Sequence, residues 1–481
     1  MIVHFNPLSN WLVRWSSCRP PVSLDRPNLA QLAKPEAQLP SFVVNSALAQ
    51  RYLALLGSLD WDHFPERDRA VAWPGPQPLP RAPFVAAYLI KLDQQLRYMA
   101  HLRDFLVSHP ALVWLLGFPL TPSTTLPWGF DPQTSLPHVR LFRQVLRTLP
   151  NSCLQFLLDS TVQLIRQELP PALHFGETIA GDTKHILAWV RENNPKVFMK
   201  NSERYDKTRQ PKADRDCKLG CKKRSNQTTK TPATEGVPAK NLSVGQYYWG
   251  YASGIIATKA PDWGEFVLAE LTQTFDRPDS SYFFPLMADT ERRLGFKPKF
   301  GTFDAGFESF YVFDYFDQAG GFAAVPLSQR GGFMRRFDPK GLPLCQAGLP
   351  MPLKSTYFCR SAMVPHQMGR HACPLLFPEP TGQSCPLNHK RWLKGGCVTA
   401  LATAKGARLR YQIDRDSNAY KRLYNQRTAT ERINALALDL GIERPKLRHQ
   451  TAISNQNTLI YILLNLRALQ RVRRLKQNPP P

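Results

Sequence analysis

No stretch of this sequence stays apolar for long. Its most hydrophobic runs, residues 111–120 and 459–466, fall well short of the roughly 20 residues that a membrane-spanning helix needs. The opening 20 residues hold Trp11, Arg14 and Trp15 but no extended apolar segment ending in small residues, so they do not read as a secretory signal. Cysteine is sparse and unpaired in number, 9 in 481 residues, and scattered. That argues against a disulfide framework and for a reducing cytoplasm. There is no internal repeat. Acids are also in short supply: 37 Asp and Glu face 62 Lys and Arg, a formal net charge of +25. An excess of that size attracts polyanions, because each neutralised phosphate releases condensed counterions.

What is present is enough for several domains with a sizeable core: 43% of the residues are hydrophobic. Residues 1–170 read as a helical region, with a first apolar-periodic stretch at 38–62. A Pro-rich break follows at 73–80, then a strong helical pattern at 84–107. A second break covers 121–137, and further helices are expected at 139–149 and 154–169. The character changes at His174. A strand ending on Asp182 is expected, then a basic loop or arm over 184–230. Next come a strand at 246–258, helices at 263–275 and 288–294, a strand at 299–304, a helix at 307–318 and a short strand at 322–327. Such alternation predicts an α/β domain with a mixed sheet. Periodicity fails over 330–412, which reads as an irregular or β-rich insertion. Helix returns at 418–440 and stops at Gly441. A basic helix at 458–476 closes the chain.

Two acids, Asp182 and Asp304, stand at expected strand ends, where loops open and functional groups gather. Taken alone, either one reads first as the cap of a following helix. A third element gives them a common purpose. Tyr424, Arg427 and Glu431 are spaced three and four apart on an expected helix, which puts them on one face. An exposed Arg–Glu pair is the plain alternative there. The functional alternative presents an acid, a guanidinium and a phenol together to a phosphate backbone. Nearby acids, namely Asp289, Glu291, Glu308, Asp414 and Asp416, read as caps or solvated charges.

In this order and spacing the residues resemble the DDE transposases of bacterial insertion sequences. The strand-end Asp182 falls in Ile179-Ala-Gly-Asp-Thr-Lys184, and Asp304 in Phe303-Asp-Ala-Gly306. Tyr424, Arg427 and Glu431 match a Y-x2-R-x3-E signature. The Lys that closes the family pattern is Leu438 here, and Arg432 is a speculative substitute. The resemblance covers about 174–448 and implies a ribonuclease-H-like mixed sheet with flanking helices. It implies a helical N-terminal DNA-binding region (1–170) and a catalytic domain in two parts (171–329 and 413–448). An insertion (330–412) separates those parts, and a basic C-terminal helix or tail (449–481) ends the chain.

The activity the resemblance implies is cleavage and strand transfer of DNA. Two Mg²⁺ or Mn²⁺ ions would be held by Asp182, Asp304 and Glu431, with Asp182 bridging both. The implied partners are double-stranded DNA at element ends and target, and a second copy of the chain in a dimer. The setting would be the bacterial cytoplasm at the nucleoid, with no membrane. Lys184, Lys222, Lys223, Arg224, Tyr424 and Arg427 are the expected DNA contacts, and the basic residues from Arg467 to Lys476 a further arm. Two alternatives remain: a catalytically inactive DNA-binding derivative, and a nuclease of the same fold without strand transfer. Within the insertion, Cys359, Cys373, Cys385 and Cys397, with His366, His371 and His389, are candidate ligands of a structural zinc. There is no C-x2-C pair, so buried free cysteines are the alternative.

Overall fold

The computed structural model describes residues 27–67, 78–194, 208–222, 246–327 and 335–478. Lys223, Arg224 and the N-terminal Trp11, Arg14 and Trp15 lie outside them, as does most of the 73–80 break.

A six-stranded sheet organises the molecule. Its strands are β1 (Thr178–Leu187), β2 (Lys218–Lys222), β3 (Gln246–Ala260), β4 (Gly264–Thr274), β5 (Phe300–Thr302) and β6 (Phe322–Ala324). The long β3 pairs antiparallel with β1 along one edge, and with β4 and β2 along the other. On its far side β1 pairs parallel with β5, and β5 with β6. The chain is therefore a mixed α/β fold whose sheet is antiparallel at one end and parallel at the other, compatible with a ribonuclease-H-like architecture.

The helices that matter here are α1 (Ala47–Leu56), α2 (Ala82–Asp93), α3 (Met99–Val107), α4 (Val139–Thr148), α5 (Asn151–Glu168), α6 (Phe283–Leu294), α7 (Phe310–Gln318), α8 (Gly406–Gln412), α9 (Asn418–Asn425), α10 (Thr428–Asp439) and α11 (Gln450–Gln477). The helical pattern at 84–107 is two helices, α2 and α3, with Gln95 at positive φ between them. α4 and α5 form where the sequence predicts them.

Three expectations are corrected. The segment 263–275, expected as a helix, is strand β4. Both of its faces are covered, by α11 and α5 and by α6, so its apolar residues run on without the alternation that marks a half-buried strand. The basic arm from 184 is in part sheet: β1 continues through Asp182 to Leu187, and β2 pairs with β3. The helix at 418–440 is two helices that meet at Gln426 and Arg427.

The terminal helix differs most from expectation. α11 begins at Gln450 and runs through the interior, packing on β4, α5, α4 and α2. Residues 455–466 are almost wholly buried. Polar residues disguise this core helix in the sequence, and several of them find partners in the fold. Asn455 donates to the carbonyls of Leu146 and Leu149, both at 2.8 Å, and Asn465 to that of Val267 at 2.9 Å. Thr458 donates to the fully buried Glu270 carboxylate at 2.7 Å. One hydrophobic core thus joins the N-terminal helices to α11 and one side of the sheet.

The stretch from 335 to 412 carries a separate antiparallel sheet in the order β7–β8–β9 (Leu353–Cys359, His366–Ala372 and Val398–Ala402), followed by α8. Among the described residues no helix is long and apolar enough to cross a membrane.

Candidate active site

Asp182 lies in the middle of β1 rather than at its end, opposite Ile255 of β3. Gly181 beside it accounts for what comes next. A Cβ at Gly181 would fall 2.3 Å from the ring of Phe303, so the missing side chain lets that ring lie on the strand. Phe303 is buried and immediately precedes Asp304. The ring therefore anchors the Asp304 segment beside Asp182. Asp304 caps a single 3₁₀ turn, accepting from the Gly306 amide at 2.9 Å.

Side chains alternate across a strand, so Asp182 and Thr183 face opposite ways. Thr183 donates to Asp279 at 2.8 Å. Gly306 also closes on that acid, since a Cβ there would meet Asp279 Oδ2 at 2.5 Å and Asp304 Oδ1 at 2.9 Å. Asp279 is a member of this acidic group that sequence reasoning missed. It lies in an unpatterned turn after β4, and only its contact with the neighbour of Asp182 reveals it.

Helix α10 covers the Asp182 side and packs on β1, β3 and β4. It begins just after Arg427, and the tight turn there points the guanidinium back at the sheet. Arg427 Nη1 lies 3.9 Å from Asp182 Oδ1, while Nη2 pairs with Glu431 one helical turn on. One residue thus ties two of the three motif acids together. A further turn along, Asn434 donates from Nδ2 to Asp182 Oδ2 at 3.0 Å. Asn434 is buried, and its Oδ1 has no hydrogen-bond partner.

The electrostatics follow from this crowding. Burial pushes the Asp182 carboxyl up to about 6, the Arg427 charge pulls it down, and the charges of Asp304 and Asp279 push it up again. Among the described residues, only Asp214, Asp216 and His449 bring three possible ligand atoms within 4.8 Å of one another. Asp182, Asp304 and Glu431 stand further apart, with Arg427 supplying positive charge between two of them.

The other expected DNA contacts are less concentrated. Lys184 is mostly covered and paired with Glu443 at 3.3 Å. Lys222 ends β2. Tyr424 sits on α9, stacked on Tyr420 with centroids 5.9 Å apart, and packs against the small cluster of Ala324, Tyr420 and Leu423. It does not share a helix with Glu431. Arg432 is engaged by Glu265, and Leu438 is exposed. Three of the five basic residues of the terminal arm are paired within the fold. Arg467 pairs with Asp93 at 2.7 Å, and Arg473 and Lys476 pair with Glu168 at 3.0 and 2.8 Å. Glu308, expected as a cap or solvated charge, is buried and faces Arg410 at 3.6 Å.

No family model matches the chain, and no curated protein matches it. Among solved structures it is similar to a piggyBac transposase synaptic complex with hairpin DNA, determined by cryo-EM. The identity is 10% and the TM-score 0.30, over 86% of this chain and 77% of that one. At that score the likeness carries no weight, and the functional reading rests on the residues themselves.

Proposed function

We propose that this chain is a transposase of the DDE type, which cleaves DNA phosphodiesters and joins the freed 3′ end to target DNA. Asp182, Asp304 and Glu431 are its acids. One observation supports the reading: Arg427 lies against both Asp182 and Glu431, which are far apart in sequence, and the charge of Asp304 bears on Asp182.

The donor set suits a hard divalent cation. It offers carboxylate oxygens alone, and their mutual repulsion is offset at present by a single guanidinium. Asp182, Asp304 and Glu431 would hold Mg²⁺ or Mn²⁺, which when bound supplies Lewis-acid activation of the attacking and leaving oxygens. The chain's own residues do the rest. Asn434 fixes the orientation of the Asp182 carboxylate. Arg427 has a fork that matches phosphate as well as carboxylate, so an incoming DNA backbone competes for it. The strong net positive charge draws the duplex in.

A strand-transfer assay with a labelled 3′-OH end and a target plasmid, run with and without Mg²⁺, tests the proposal. Joined product that depends on metal and is lost in Glu431→Gln supports it. Nicking without joining points instead to a nuclease of the same fold. The assignment to insertion sequences, the DNA ends recognised and a dimer on paired ends belong to the same proposal. Inverted repeats flanking the coding sequence would support the first of these.

A further inference from the structure

The segment around β7–β9 has little to hold it together. Its own buried cluster consists of Leu401, Ala402 and Ala407. Strand β7 is exposed over nearly its whole length, and Leu353, Tyr357, Phe358, Leu387 and Leu393 are open to solvent. The loop from β8 to β9, residues 373–397, contains one short 3₁₀ turn and otherwise no regular element. A unit with so small a core is usually stapled by a disulfide or a metal. No disulfide is formed by these cysteines.

Four of the cysteines sit in similar local settings. Cys345, Cys373 and Cys385 each open a turn in which the amide three residues on returns to the cysteine carbonyl. The donors are Gly348 at 3.0 Å, Leu376 at 3.2 Å and Asn388 at 3.0 Å. Gly348 and Asn388 take positive φ there. Cys397 follows two glycines of positive φ, Gly395 and Gly396, and leads directly into β9. These turns face one cavity, with their sulfurs as a set further apart than the 4.8 Å within which a formed cluster brings its ligand atoms, so a bound ion would draw them together. Cys345, Cys385 and Cys397 line one cavity of about 500 Å³. Cys373 reaches the same place from below Gly396, where an added Cβ would lie 3.3 Å from its Sγ.

The geometry points to a structural zinc site formed by the thiolates of Cys345, Cys373, Cys385 and Cys397, which staples the loop between β8 and β9 to the turn before β7. Soft thiolates in a closed set of four select zinc, and binding releases their protons. The ligand set differs from the one expected from sequence. Cys359 ends β7, with its sulfur 3.9 Å from Ser361 Oγ, and it does not line the cavity. Cys345 takes its place. The site is independent of the acids around Asp182, so its test does not depend on any catalytic activity.

The full-length protein should be produced with zinc, dialysed, and analysed for metal content. One zinc per chain is expected, and Co²⁺ exchange should give the charge-transfer and ligand-field spectrum of tetrahedral tetrathiolate coordination. Displacement of zinc with a mercurial should consume about four thiols. Cys373→Ser and Cys397→Ser should each lower zinc retention at least about tenfold, whereas Cys359→Ser, His389→Ala and Asp214→Asn should retain it. If the serine variants do not fold, the Co²⁺ spectrum and thiol count of the unsubstituted chain decide. Absence of zinc from the purified chain would overturn the proposal. So would a cobalt spectrum of nitrogen or oxygen ligation, or loss of metal in His389→Ala with retention in Cys385→Ser.

Discussion

Asn434 donates a 3.0 Å hydrogen bond to Asp182 across the gap between α10 and the sheet. Its own carbonyl oxygen is buried without a partner. An amide placed this way leaves Asp182 one preferred orientation. Asn434→Ala should therefore lower kcat for DNA cleavage about tenfold with KM for DNA little changed, and Asn434→Asp should lower it further by adding a negative charge. Equal losses in KM and kcat, or no loss, would show that the contact serves folding alone.

Arg427 supplies the positive charge between Asp182 and Glu431. Its removal should leave the acids less compensated and so more receptive to a cation. Arg427→Gln is expected to bind Mn²⁺ more tightly than the unsubstituted chain in the absence of DNA, measured by electron paramagnetic resonance. The same variant should cleave DNA poorly, because the phosphate-binding fork is gone. Stability at pH 7 should fall by on the order of 1 kcal/mol, since the largely buried Asp182 loses its counter-charge.

A carboxyl whose folded pKa is raised opposes folding when it ionises. For Asp182 the ordinary value of 3.8 rises to about 6. Below the lower value both states are protonated and there is no penalty. Between the two the unfolded chain ionises first and stability falls, and above about 6 the penalty is fully developed. In chelator-treated protein, Asp182→Asn should accordingly be more stable than the unsubstituted chain at pH 7, by on the order of 3 kcal/mol. The gap should close towards pH 4, as read by chemical denaturation. A constant gap across that range would contradict the assignment.

Arg467, Arg473 and Lys476 of the terminal helix pair within the fold. Asp93 is almost wholly buried, with Arg51 on one side and Arg467 on the other, and Tyr52 donates to it at 2.9 Å. Arg467→Ala leaves that acid with one cation and should cost about 1–2 kcal/mol. Arg471, exposed on the same helix, should tolerate alanine within about 0.5 kcal/mol. If Arg467→Ala instead preserved stability and weakened DNA binding, the terminal helix would be the arm that its composition suggests.

The elements whose burial is one-sided were legible in the sequence. α4 and α5 announce themselves by helical periodicity and a proline turn between them, and β5, β6 and α7 by short alternations of character. Two elements buried all round were not. β4 lost its period because helices cover both faces, and α11 hid its interior position behind Asn455, Asn457, Thr458 and Asn465, which find partners only in the fold. The break at Arg427 was invisible because the apolar spacing continues across it. The motif acids were legible as types and order. Asn434 and Asp279 were not, since nothing in their local sequence distinguishes them from any polar residue on a helix or in a turn. The cysteines were legible as a group, but only the three-dimensional turns separate Cys345 from Cys359.

The most direct measurement of the central claim is Mg²⁺-dependent DNA cleavage by Asp182→Asn, Asp304→Asn and Glu431→Gln, each compared with the unsubstituted chain and each shown to be folded. Every one should lose activity by at least about a thousandfold while DNA binding is retained. Undiminished cleavage in any of the three would contradict it.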